Sequence, residues 1–202
     1  MDYRFLVDTY ETERLKVMQA WSMFRDEDLA VRPRYNDPRG RSVVEHMVHQ
    51  CLSEDIWFRT MLGIDVGAGL PEGETRLGFI GQYGRDSAAR LAALRQRDSG
   101  WWEAEADFFE VRRSRAWIMV RRIAHTAHHR GQQTAMLRML GRDLHSTYGP
   151  TADTGGLMQD HAPTIYAYPD EDSLGAGESG GGSPKVALPG GGGHPVTERP
   201  DW

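Results

Sequence analysis

"SRAWIMVRRIAHTAHHRGQQTAMLRML", residues 114–140, places apolar side chains at three- and four-residue steps and runs into Gly141. Residues so spaced share one face of an α-helix, and a glycine just past the last of them can take the left-handed conformation that closes it. The stretch predicts a long helix from about Ser114 to Leu140. Positions four apart lie roughly 40° from each other on a helix. Ile118, Arg122, His125, His129, Gln132 and Met136 therefore form one stripe, apolar at its ends and polar in its middle. Polar groups on a face that meets other helices cost several kcal/mol unless something compensates them. His125 and His129, one turn apart, have the spacing of a two-histidine metal arm. His128 points about 100° away from His129 and reads as a supporting or surface ring. The neighbouring stripe of Ala124, Ala127, Gly131 and Ala135 is small enough to let another helix approach.

Outward from this segment the same periodicity recurs. Residues 3–24 carry Phe5, Leu6, Tyr10, Leu15, Met18, Trp21 and Phe24 at helical spacing. "SVVE" at 42–45 is a capping box, in which Ser42 and Glu45 each satisfy a free amide of the first turn. A helix then runs through Val48, Leu52, Ile56 and Leu62 to Gly63. A third spans about Thr75 to Arg95, with Leu77, Ile80, Tyr83, Leu91 and Leu94 on one side. "DSGWWEAEADFFEV" (98–111) reads as a short strand or an irregular arm, with Trp101 and Trp102 either capping a bundle end or lining a pocket. Four principal helices make an all-α bundle around one apolar seam the economical fold. From Leu174 onward the chain is Gly- and Pro-rich, the composition of a flexible tail. Residues 1–145 thus read as the bundle and 146–202 as a C-terminal extension.

Composition narrows the function. One cysteine, Cys51, in 202 residues excludes an internal disulfide and a thiolate metal cluster, as suits a reducing compartment. The net charge of −5 argues against nucleic acid as a partner. "RRSR" at 112–115 is read as a solvated, salt-bridged face. No apolar run reaches the roughly 18 residues of a membrane helix, and "MDYRFLVDTYETERLK" lacks the basic and apolar regions of a signal peptide. The expectation is a soluble cytoplasmic protein.

A third ligand for a metal on His125 and His129 should come from a facing helix. The second helix offers His46 and His49. His49 shares a face with Leu52, Ser53 and Ile56 and is preferred. Three neutral imidazoles with an open position suit Zn²⁺ or Ni²⁺. Thr126 stands where the zincin motif needs Glu, which argues against a metalloprotease.

"MVHQCLSEDIWF" (47–58) together with "HTAHHRGQQTAMLRMLG" (125–141) resembles the DinB-like superfamily of bacterial four-helix proteins. Its marks are a histidine on the second helix, followed by an acid and an aromatic, and a late H-x-x-x-H-R-G-Q segment. The resemblance covers roughly residues 1–145 and excludes the extension, which compact members lack. It implies an up-down-down-up bundle with a crossover, a divalent metal on His49, His125 and His129, and a homodimer. It further implies a small-molecule substrate and an activity among thiol-dependent transferases and isomerases or metal-dependent hydrolases.

Three functions follow. In a thiol S-transferase the metal lowers the pKa of a low-molecular-weight thiol, since Cys51 points to another face. Arg122 could bind a carboxylate of that thiol, although a surface arginine is the preferred reading. In a hydrolase the metal activates water, with Glu45 or Glu54 as the available bases. In a binding or structural protein the metal only pins helices. Gln132 is either a partner of a metal-binding ring or a surface amide.

Overall fold

The computed structural model describes residues 2–182 and 185–197. Four long helices dominate: α1 (Arg4–Ser22), α2 (Val43–Ile56), α3 (Arg76–Leu94) and α5 (Arg115–Met139). Their principal contacts join α1 to α3 and α5, and α2 to α5 and α3, so the order around the assembly is α1, α3, α2, α5. A short helix α4 (Ser99–Glu103) and an antiparallel hairpin, β1 (Glu105–Phe108) and β2 (Val111–Ser114), occupy the stretch read as a strand or arm. No helix among the described residues is long and apolar enough to cross a membrane.

The helix ends follow the local chemistry. Ser42 Oγ accepts from the Glu45 amide at 3.3 Å, and Glu45 returns a bond to the Ser42 amide at 2.8 Å. Thr75, Asp98 and Ser114 cap α3, α4 and α5 through their side-chain oxygens. Gly63 and Gly141 take φ of +67° and +64° where their helices stop. After α2 the chain widens into a π turn over Trp57–Met61, in which the Leu62 amide reaches the Trp57 carbonyl at 3.1 Å.

The interior is not one apolar seam. One buried cluster gathers Met18, Trp21, Met47, Phe79, Tyr83, Met136 and Leu137. A second gathers Leu6, Tyr10, Phe58, Leu62, Leu91, Trp102, Ile118 and Met119. On every long helix, buried polar residues fall between the two: Glu13 and Arg14 on α1, Glu54 on α2, Ser87 and Arg90 on α3, and Arg122 to Gln133 on α5. Tyr10 and Tyr83 donate to the two oxygens of Glu54 at 2.6 and 3.0 Å, and Arg90 adds a bond at 3.2 Å. Within the band Arg90 pairs with Glu54 and Arg130 with Glu13, Arg14 reaches Glu171 outside it, and Arg122 has hydroxyl partners only.

Three sequence expectations need correction. Phe5 and Leu77, assigned by period to inward faces, are exposed. The Ala124–Ala127–Gly131–Ala135 stripe also faces outward, and a Cβ on Gly131 would meet nothing within 4 Å. The buried face of α5 is instead the polar one. Finally, the segment read as flexible, from Leu174 onward, begins inside a helix, α6 (Glu171–Ser179), and Leu174 joins the core together with Tyr168 just before that helix. The Gln19 carboxamide pairs with both backbone groups of Tyr168, at 2.7 and 3.0 Å, as a neighbouring strand would. Arg14 binds Glu171, and Arg76 binds Glu178. A few anchors suffice to hold a chain whose average composition is glycine-rich. Residues 183–184 and 198–202 lie outside this description.

Candidate metal centre

Within the polar band, α2 and α5 bring His49, His125 and His129 together. One ring nitrogen from each lies within 4.8 Å of the other two. His125 Nε2 and His129 Nε2 are 3.2 Å apart, and the ring of His49 stands 4.5 Å from that of His129. The separate helices matter: no local sequence could present a third imidazole across this pair.

The chemistry of these donors fits a cation. His129 Nδ1 is 2.9 Å from Gln132 Oε1, an acceptor, which assigns the proton to Nδ1 and leaves the Nε2 lone pair facing the cluster. Burial lowers the pKa of all three rings, that of His125 to about 4 and that of His129 to about 3. Neighbouring positive charge adds to this: Arg122 for His125, the other histidines for His129, and Arg41 for His49. The rings are therefore neutral near pH 7, the form that binds metal. Two nitrogens bound tetrahedrally at the usual zinc distance stand about 3.3 Å apart, against the observed 3.2 Å. His125 Nδ1 is buried without a partner.

The surroundings hold the rings in place. Trp57, at the start of the π turn, stacks on His125 with centroids 5.6 Å apart. Arg122 lies over the other ring system of this pair, 5.4 Å from the centroid of Trp57. It is 1 % exposed, which overturns the surface reading. Its guanidinium donates to Ser53 Oγ and Thr126 Oγ1 at 3.1 and 2.9 Å, so hydroxyl groups, not a carboxylate, satisfy it. Gln132, left open between two roles, supports His129.

The remaining candidates divide. His128 is exposed and outside the group. His46 is also outside it but buried, with its ring 5.6 Å from that of His129; periodicity alone did not reveal this. Glu45 is held by the capping box and by Arg32 at 2.5 Å, and both oxygens of Glu54 are engaged. Burial pushes the Cys51 thiol up to about 12, which removes it as a nucleophile. Arg112 pairs with Glu105 and Asp107 on the hairpin.

A helical protein with a three-histidine group shared by two of its helices is the class this geometry defines. The DinB family model matches residues 5–159, and the chain belongs to the DinB family. Its fold is similar to the crystal structure of a DinB-like protein from Bacillus cereus ATCC 10987, with a TM-score of 0.63 and 18% identity. That alignment covers 71% of this chain and 95% of the other. No curated protein matches the chain.

Proposed function

We propose that this protein is a metal-dependent thiol S-transferase acting on a small electrophile, with Zn²⁺ or Ni²⁺ held by His49, His125 and His129. The observation that carries the metal is the approach of two neutral imidazole nitrogens to 3.2 Å with a third close by. With the His129 proton claimed by Gln132 at Nδ1, its Nε2 lone pair is met either by an Nε2 proton of His125 or by a cation, and the third ring nitrogen close to both favours the cation, which all three can bind at once. A divalent ion there supplies a positive centre that favours the thiolate form of a bound thiol near neutral pH.

The chain's own residues prepare that site. Gln132 fixes the tautomer and direction of His129. Trp57 shields one face of His125 from water. Arg122, buried without an ion-paired carboxylate, keeps the region behind His125 positive and so favours an anionic ligand. Cys51 is protonated and buried, so the thiol must come from a diffusible molecule. The hydrolytic alternative lacks a free base in Glu45 and Glu54; the exposed Glu74, beside the groove that His49 lines, is the acid left to it. A purely structural metal is the third reading. Cytoplasmic location, an up-down-down-up helix course and a homodimer accompany the family reading.

The test begins with metal analysis of protein purified without a nickel column. His49→Ala and His125→Ala should each abolish stoichiometric metal, and His128→Ala should not. The metallated protein is then incubated with a model electrophile, with and without a panel of cellular thiols. Acceleration that needs both metal and thiol supports the transferase. Turnover without thiol that Glu74→Gln abolishes would establish the hydrolase instead. No turnover, with a large loss of melting temperature on chelation, would leave the structural role.

A further inference from the structure

We propose that the groove beside the metal centre, formed by the α1–α2 loop and the last turns of α5, binds a small carboxylate with an apolar body, read by Arg41 and His46. The inference deepens the metal-centre reading and rests on it for the reacting atom, but not for the binding itself.

The groove has a volume of about 530 Å³. One wall is apolar, with Pro33, Pro38, Met136 and Met139. The polar groups on it are all donors. Arg39 is neutralised by Asp37 at 2.7 Å, but Arg41 is exposed and has no carboxylate partner among the described residues. Gln132 spends its Oε1 on His129, which leaves its NH₂ as a donor. No acidic side chain lines the groove, in a chain whose net charge is −5.

His46 supplies the second, independent observation. It is 4 % exposed and lines the groove; its Nδ1 is buried with no hydrogen-bond partner, and Nε2, which makes no bond to a described residue and is not among the fully buried nitrogens, is the one that can face the groove. A neutral imidazole always carries one N–H, and leaving it unpaired in an interior is costly. His46 does not belong to the three-histidine group, so a metal on that group does not satisfy it. A ligand oxygen in the groove would accept from its Nε2–H. One uncompensated positive charge with neutral donors around it matches a monoanion better than a phosphate dianion, and a guanidinium fork matches the two oxygens of a carboxylate. The apolar wall selects a carboxylate attached to a hydrophobic group. So seated, the ligand lies beside His129, within reach of the centre.

The experiment uses the full-length, metal-free protein, so failure of the histidines to bind metal would not affect it. Histidine side-chain ¹H–¹⁵N spectra are recorded during titration with sodium benzoate, and separately with sodium phosphate and with sodium chloride. Benzoate should shift the His46 signals saturably, with a dissociation constant that Arg41→Gln weakens about tenfold. His46→Gln, read from the backbone amides of Arg41 and Gln132 that line the groove, should weaken it as well, while the rest of the backbone amide spectrum of each variant reports an intact fold. Sodium chloride at equal ionic strength should do neither. The proposal is overturned if the His46 signals do not move, if Arg41→Gln binds benzoate as the wild type does, if phosphate binds there more tightly than benzoate, or if the shifts are confined to His125 and His129.

Discussion

His129→Ala should erase the thermal stabilisation that zinc gives the wild-type protein. His129 is 4 % exposed, its Nε2 lies 3.2 Å from that of His125, and its Nδ1 is held by Gln132 at 2.9 Å. Removing it leaves two ligands, below the three that a stable site of this kind needs. An ion that binds only the folded state, present at about one hundred times its Kd, contributes about 2.7 kcal/mol. In a chain of this size about 1 kcal/mol moves the melting temperature by about 2–4 °C. Zinc at that excess should thus raise the wild-type Tm by about 5–11 °C. Gln132→Ala keeps all three ligands but frees the His129 ring, which costs about 10–100-fold in affinity. At the same zinc concentration its stabilisation falls to about 0.4–1.4 kcal/mol. The ordering is wild type equal to His128→Ala, then Gln132→Ala, then His129→Ala with no shift. Differential scanning calorimetry at pH 7.5, with zinc and with a chelator, reads all four. An equal response of wild type and His129→Ala to zinc would refute the reasoning, as would a lost response in His128→Ala.

Other expectations concern the polar band and the extension. Tyr83→Phe removes a bond to the buried Glu54 carboxylate and should cost about 1.5–3 kcal/mol in urea unfolding; an unchanged midpoint would refute that contribution. Glu13→Ala strands the buried Arg130, which it meets at 2.6 Å in a contact that is Coulombic more than an aligned hydrogen bond, and should cost about 3–5 kcal/mol by the same measurement. Burial would raise the Glu178 carboxyl, but bonds from Tyr168 and Arg76 outweigh it and hold it below its usual range. Because its folded value is the lower one, its contribution is complete above the unfolded value of about 4.3 and is lost as pH falls through the folded one. Proteolysis of the 144–182 segment should therefore increase on acidification through that window, and Glu178→Gln should remove that pH dependence. Cys51, with its thiol pushed up to about 12, should resist iodoacetamide at pH 8 until urea unfolds the protein.

Sequence periodicity and local end chemistry determined the long helices. The capping box at Ser42, the glycine stops at Gly63 and Gly141 and the 3.6-residue spacing are interactions between near neighbours, so the chain alone displays them. The pairing of His125 with His129 belongs to the same kind, one helical turn seen from the side. His49 was chosen over His46 from its position on the face of α2, and the structure places His49 with the pair.

Only the tertiary structure decided the rest. A hydropathy pattern cannot distinguish a charge that faces water from one that faces another charge, so Arg122 read as a surface residue and Glu54 as an available base. Packing places both inside, with partners drawn from other helices, and it turns the small-residue stripe of α5 outward. Composition likewise averaged away the few side chains, Tyr168, Glu171, Leu174 and Glu178, that fasten the glycine-rich extension to α1 and α3. Local order is set by residues within a turn of each other; the three-histidine group, the buried band and the anchored extension depend on residues up to 157 positions apart, whose meeting only the folded chain specifies.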